Sequence, residues 1–289
     1  MKLIVCDMDG TLLNSKDEIS ENTKNYLIAC QQKGIRLVLA SGRSYSRLKE
    51  YYEQLRMPEY DGILIEVNGL YTNYLQRGIR QKAKSLTMMD LKKIYDASVH
   101  HEPEIITYLD QGIRYLIPAS MEPIKKAYIK EQQLPEDYPL SGGPWAWAVD
   151  TRGGYPDQKR LYSIDEFPEE VNKMTLLHRP EITQQIIDEF QGNIFEDYEM
   201  SRSAPRSLEI TAKGVTKGVA LRTLMEKENI QSDEVLAFGD GENDFSLFDE
   251  VKYAIAMGNA PQYVKDHAYE ITATNDEDGV MLACQKYIK

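Results

Sequence analysis

Apolar residues along this chain gather into short continuous runs, each closed by a polar turn. The first is Lys2-Leu3-Ile4-Val5-Cys6, closed by Asp7-Met8-Asp9-Gly10-Thr11. A branched, apolar run without alternation predicts a strand buried on both faces of a parallel sheet. Residues 35–40 and 62–67 repeat the form and end in Ser41-Gly42-Arg43-Ser44 and Asn68-Gly69. The segments between them predict helices. One is capped by Ser20 and stopped by Gly34; the next carries Leu48, Tyr51, Tyr52 and Leu55 ahead of Pro58. Strands alternating with helices predict an α/β class chain with a doubly wound parallel sheet.

The rhythm then changes. Residues 70–83 predict a small hairpin around Gln76-Arg77-Gly78, and Ser85 or Thr87 can cap a helix reaching about residue 100. Residues 105–117 alternate around Asp110-Gln111-Gly112, which is a hairpin pattern. A helix over 123–133, a loop-rich stretch over 134–165, a strand over 173–177, a helix over 180–190 and two short strands within 193–210 follow. The alternating form returns at Lys213-Gly214-Val215-Thr216-Lys217-Gly218, with Thr216 capping a helix to about residue 228. A strand over 235–238 ends in Gly239-Asp240-Gly241-Glu242-Asn243-Asp244, and another over 253–257 ends in Gly258-Asn259-Ala260. Pro261 opens a helix, 270–273 is a last strand, and Asp278-Gly279-Val280 starts the closing helix. The pattern predicts a discontinuous α/β core, 1–83 with 212–289, interrupted by an α+β insert, 84–211.

Composition narrows the function. A net charge of -12 argues against nucleic acid or an anionic membrane as the main partner, while leaving room for a local basic pocket. Three widely spaced cysteines without a CxxC pair suit a reducing compartment. Strand alternation points Cys6 away from Asp7, as core filler. No apolar stretch approaches the ~20 residues that span a bilayer. The first strand begins at residue 2, which leaves no room for a signal peptide. A soluble, cytoplasmic protein is expected.

The polar residues at the strand ends carry the chemistry. Asp7 and Asp9, Ser41 with Gly42 and Arg43, Lys217 at a helix start, and Asp240, Asn243 and Asp244 come from four separate segments. Parallel strands bring their carboxyl ends to one edge of a sheet, so these groups can converge. Carboxylates, a lysine and a hydroxyl gathered there form a site for a hard cation and a phosphate. Ser41, the backbone amides beside it and Lys217 can hold phosphoryl oxygens.

These segments, in this order, resemble the four motifs of the haloacid dehalogenase superfamily phosphatases. The insert between the second and third motifs, Asn68-Gly69, Gly258-Asn259-Ala260 and Asp278-Gly279-Val280 resemble its Cof-like branch, which carries a large α/β cap. The resemblance covers both core halves; within the insert it rests on size and pattern. It implies Asp7 as a nucleophile that becomes an aspartyl-phosphate, and Asp9 as acid and then base. It further implies Mg²⁺ held by Asp7, the backbone carbonyl of Asp9, and Asp240. Asp244 and Asn243 would orient that shell or touch phosphate. Ser41 stands where many relatives have Thr, which keeps the hydroxyl.

Plainer readings compete at several positions. Lys213 rivals Lys217, but only Lys217 lies just inside the predicted helix start. Arg43 can touch phosphate or pair with a nearby carboxylate, and Asp244 can be a helix cap. His100-His101-Glu102 reads as a solvated helix terminus, since no second His lies at ligand spacing; His178 and His267 read as structural. Trp145 and Trp147 can pack the insert or stack on a substrate, with packing favoured, and Tyr51-Tyr52 reads as ordinary packing. The expected activity is Mg²⁺-dependent hydrolysis of a small phosphorylated metabolite of the sugar-phosphate kind. The alternatives are a phosphomutase or a non-catalytic sugar-phosphate-binding regulator. Substrate identity and oligomeric state stay open.

Overall fold

The computed structural model describes residues 1–288; Lys289, the last residue of the predicted core segment, lies outside them. The chain divides into two compact units, Met1–Ala83 with the chain from Val215 onward, and Lys84–Gly214.

The first unit is built on an eight-stranded sheet. Its order is Glu270–Ile271, Tyr253–Ala256, Val235–Gly239, Leu3–Cys6, Arg36–Ala40, Ile63–Glu66, Tyr71–Tyr74 and Ile79–Lys82. The first six are parallel; the last two form the antiparallel hairpin expected around Gly78. The lack of alternation in the apolar runs now has its reason, because both faces are covered. Ile4, Cys6, Leu37, Leu39, Leu236 and Phe238 face one way, packed with Leu27 and Cys30 of helix Glu21–Gln32 and Ala283 and Cys284 of helix Gly279–Tyr287. Leu3, Val5, Val38, Ala40, Val235 and Ala237 face the other way, against Leu221 and Leu224 of helix Lys217–Glu228. Cys6, Cys30 and Cys284 are free and buried, and Cys6 is core filler as expected.

Helix starts follow their caps. The Ser20 side chain accepts from the Thr23 backbone N–H, and Thr216 accepts from that of Val219. Asp278 binds back across the sequence, accepting from the Thr23 hydroxyl at 2.9 Å, the Asn22 amide at 3.0 Å and the Ser20 hydroxyl. One acid therefore ties the start of the closing helix to the start of the first.

The second unit carries a six-stranded sheet in the order Tyr198–Ala204, Ser207–Ala212, Lys173–Leu177, Glu104–Tyr108, Gly112–Leu116 and Asp157–Leu161. Its helices are Met88–Ser98, capped by Thr87, with Glu122–Glu131 and Pro180–Gln191. One strand of this sheet was not expected. Asp157–Leu161 falls inside the predicted loop, pairs parallel with Gly112–Leu116 and lies at the sheet's edge. Its sequence, DQKRL, buries only Leu161, so side-chain pattern carries no signal and backbone pairing alone makes the strand.

A buried ion pair anchors that unit. Lys125 Nζ lies 2.5 Å from Glu104 Oε2 and donates to the Trp147 carbonyl at 2.5 Å, while Glu104 Oε1 accepts from the Gly142 N–H at 2.7 Å. Burial pushes the Glu104 carboxyl up and the Lys125 ammonium down, and each charge opposes the shift of the other. The Arg206 guanidinium sits 3.9 Å over the Trp147 ring, so Trp147 is held in packing, whereas Trp145 is 75% exposed and packs no core. Removing one partner of a buried pair strands the other charge, at a cost of about 3–5 kcal/mol. Lys125→Met is therefore expected to destabilise this unit by that amount, and the double variant Glu104→Met/Lys125→Met by much less. Both tryptophans lie in the insert, so denaturant unfolding followed by their fluorescence reads it directly. A single-variant loss below about 1 kcal/mol would contradict the assignment.

Candidate active site

Strand pairing in the first unit brings the candidate residues to one edge. Asp7 follows Leu3–Cys6 directly, and its N–H donates to Phe238 O at 3.0 Å on the neighbouring strand. On the other side Ser41 follows Arg36–Ala40, and its N–H donates to Ile65 O at 2.9 Å. Asp240 follows Val235–Gly239. From the first strand the chain winds to Arg36–Ala40 and Ile63–Glu66 on one side, and later to Val235–Gly239 and Tyr253–Ala256 on the other, which makes this edge the switch point of the doubly wound sheet.

Lys217 is the hub. Its Nζ donates to Asp7 Oδ1 at 2.6 Å and to Asp244 Oδ1 at 2.8 Å, with the Lys217 and Asp244 side chains fully buried. The second oxygen of Asp244 accepts from the N–H groups of Asp240, at 3.0 Å, and Gly241, at 3.1 Å. Asp244 thus fixes both the lysine and the turn that presents Asp240. Lys213, the rival, lies in the other unit beside Glu199, at 3.5 Å.

Three carboxylates share one lysine here. Oxygens of Asp7, Asp240 and Asp244 lie within 4.8 Å of one another. Burial raises the Asp7 carboxyl well above its ordinary range; Lys217 pulls it down, and Asp244, Asp240 and Asp9 push it up. Burial, then Asp244, raises Asp240 to about 7, against the pull of a Thr11 hydrogen bond and Lys217. Asp7 and Asp244, against the cost of burial, raise Lys217. The cluster therefore holds more negative charge than its lysine neutralises. An all-oxygen donor set with excess buried negative charge fits a hard dication such as Mg²⁺.

The remaining predicted residues sit around this centre. The Ser41 hydroxyl, buried, accepts from the Arg43 N–H at 3.1 Å, with Gly42 between them. The Asp9 side chain is 58% exposed and turns from the cluster to Arg43, whose Nε donates to Asp9 Oδ2 at 2.9 Å and whose second nitrogen pairs with Oδ1. Of the two readings of Arg43, the structure displays the carboxylate pair. Asn243 is half-buried in the short turn Glu242–Asp244, next to Asp244.

Sequence reasoning missed several supports. The Thr11 hydroxyl donates to Asp240 Oδ1 at 2.9 Å. Tyr51 does more than pack, because its hydroxyl accepts from Arg43 Nη1 at 3.2 Å. Asn259 Nδ2 donates to Gly10 O at 2.8 Å, and Asn275 Nδ2 to Leu13 O at 2.8 Å, so the closing segment pins the first loop. Two glycines allow close approach. Gly10 has φ +78°, and a Cβ there would lie 2.3 Å from Asp240 Oδ2. Gly69, at φ +103°, lets the Asn68-Gly69 turn reach the helix start, where a Cβ would meet Thr216 O at 2.1 Å. The hydroxyl of Thr11 was visible in sequence; its partner was not.

Residues 4–283 match the family described as haloacid dehalogenase-like hydrolase. The chain belongs to that family. It is thus an enzyme, a hydrolase of the Cof-like branch. It is 28% identical to phosphatase YwpJ of Bacillus subtilis, covering 97% of each chain. It is 25% identical to a 5-amino-6-(5-phospho-D-ribitylamino)uracil phosphatase of the same species, YcsE, covering 100% of this chain and 96% of that one. A solved structure of a haloacid dehalogenase-like hydrolase from Bacteroides thetaiotaomicron matches with a TM-score of 0.76 and 29% identity over 99% of both chains. The expected α/β fold with an inserted α+β segment is borne out.

The excess charge has a measurable consequence. Asp240 titrates near 7 in the folded, metal-free chain, against an ordinary value of 3.8. The folded state holds that proton more tightly than the unfolded state does, so metal-free stability falls as pH rises between those values. A dication binds the deprotonated cluster. Added Mg²⁺ is thus expected to raise the unfolding temperature more at pH 8 than at pH 5, read by a thermal scan. Equal shifts at both pH values would contradict it.

Proposed function

We propose that this hydrolase is a Mg²⁺-dependent phosphatase acting on a small, sugar-phosphate-like metabolite through an aspartyl-phosphate on Asp7. The observation that carries the proposal is the Asp7 carboxylate, held at the strand end by a fully buried Lys217 that also grips Asp244. A lysine so fixed leaves one Asp7 oxygen free and oriented to attack phosphorus. The bond from phosphorus to the leaving alcohol then breaks, and Asp9 gives the alcohol its proton. Water next attacks the phosphoryl group, Asp9 takes the water's proton, and the phosphorus–Asp7 bond breaks to release phosphate. Asp9 lies two residues from the nucleophile, and on leaving Arg43 it could carry a proton in turn. Its exchange with Arg43 at the surface would free that guanidinium for a phosphoryl oxygen.

Asp7, the Asp9 carbonyl, Asp240 and Asp244 would hold Mg²⁺, which supplies charge neutralisation between the carboxylates and an incoming phosphate. Ser41, Gly42, Lys217 and Asn243 would meet the remaining phosphoryl oxygens, whose charge is spread in the transition state. The names of the relatives, one acting on a ribityl phosphate, support a small phosphorylated metabolite. The insert, similar in size and pattern to the family's cap, is the part we assign to substrate choice. Three buried, unlinked cysteines suit a cytoplasmic setting, and among the described residues no helix is long and apolar enough to cross a membrane.

Phosphate release from a panel of phosphorylated metabolites, with Mg²⁺ and with EDTA, tests the proposal. Wild type is expected to turn over only with metal. Asp7→Asn should abolish release, and Asp9→Asn should lower kcat by roughly 10²–10⁴-fold. Equal release by Asp7→Asn would remove the nucleophile. Transfer to a second sugar hydroxyl without free phosphate would point to a mutase.

A further inference from the structure

The turn after the first helix of the insert, read from sequence as a solvated terminus, is organised around a partner 88 residues away. His100 Nε2 lies 2.9 Å from Glu189 Oε2, and His101 Nε2 lies 2.9 Å from Glu189 Oε1. Consecutive residues ordinarily diverge. Here the short turn Val99–His101 brings the two rings together, tilted at 40° with centroids 4.2 Å apart, and both Nε2 atoms meet one carboxylate. Glu189 is presented by helix Pro180–Gln191. Burial is graded across the group: His101 is 13% exposed, Glu189 49% and His100 56%. The chain has only four histidines, and two of them meet here. A third histidine, His178, has its Nδ1 occupied, accepting from the Arg179 N–H at 2.7 Å.

We propose that His100, His101 and Glu189 form a second metal site, for a zinc-like dication, separate from the oxygen-only cluster at Asp7. Two imidazole nitrogens and one carboxylate are a borderline donor set, suited to zinc and its neighbours and poorly to Mg²⁺. Metal–ligand bonds of about 2.0–2.1 Å set tetrahedral ligands roughly 3.3 Å apart. The two Nε2-to-oxygen separations of 2.9 Å need only a small opening, and one atom from each of the three residues already falls within 4.8 Å of the others. Binding needs the Nε2 lone pairs, so a proton held there moves to Nδ1 or to solvent. Water completes the coordination. The bound ion would clip the Val99–His101 turn to helix Pro180–Gln191 within the insert.

Titration calorimetry with zinc chloride, on the full chain in excess Mg²⁺, tests this without reference to turnover. Excess Mg²⁺ competes for the Asp7 cluster, so one equivalent of zinc that resists this competition is expected to bind. That equivalent should vanish in His100→Ala/His101→Ala. It should weaken about tenfold or more in Glu189→Gln, which keeps the side chain's size but removes its charge and one acceptor oxygen. Diffraction at the zinc edge from soaked crystals should place an anomalous peak between the three side chains. An unchanged zinc isotherm in either folded variant, or a peak only at Asp7, Asp240 and Asp244, would overturn the proposal.

Discussion

One buried ammonium group holds the first unit's polar edge together. Lys217 reaches Asp7 from a helix start and grips Asp244 with the same nitrogen, so groups 210 residues apart in sequence become one cluster. A single lysine cannot neutralise three carboxylates, and burial first, then the neighbouring carboxylates, raises the Asp7 and Asp240 carboxyls against its pull. That deficit of positive charge would be a fault in a purely structural cluster. At the switch point of a parallel sheet it is what a dication would offset, and under the proposed function it would leave Asp7 unshielded on one side.

The sheet makes this possible at small local cost. Its strands are apolar on both faces and bury into two separate packing layers, which leaves their ends as the place where polar residues can gather. Close approach there is limited by backbone, and Gly10 and Gly69 stand where a side chain would collide with Asp240 or with the helix start. Asn259 and Asn275, from the last stretch of the chain, then tie down the loop after Asp7. The loop after Asp7 is thus anchored by the far end of the sequence.

Much of this was legible beforehand. Fully apolar runs, a Gly at each turn and the Ser20 and Thr216 caps specify strands and helix starts through local physics alone. Parallel topology then implies which ends converge, so Asp7, Ser41, Lys217 and Asp240 could be grouped without a structure. What stayed hidden depends on pairing at a distance. Strand Asp157–Leu161 has no apolar alternation because it lies at an edge. Tyr51 matched the helix's packing stripe while its hydroxyl reaches Arg43, and the paired histidines waited on Glu189, whose position only the insert's fold sets. Trp145, for which packing was the favoured of two readings, is exposed instead.

The central claim is that Asp7, oriented by Lys217, takes the phosphoryl group. It is tested most directly by quenching the enzyme during turnover, reducing it with borohydride and mapping the product by peptide mass spectrometry. An acyl-phosphate is reduced to the alcohol, so the account predicts conversion at position 7, dependent on both substrate and Mg²⁺. Conversion at Asp9 or Asp240 instead, or none at any carboxylate during active turnover, would contradict it.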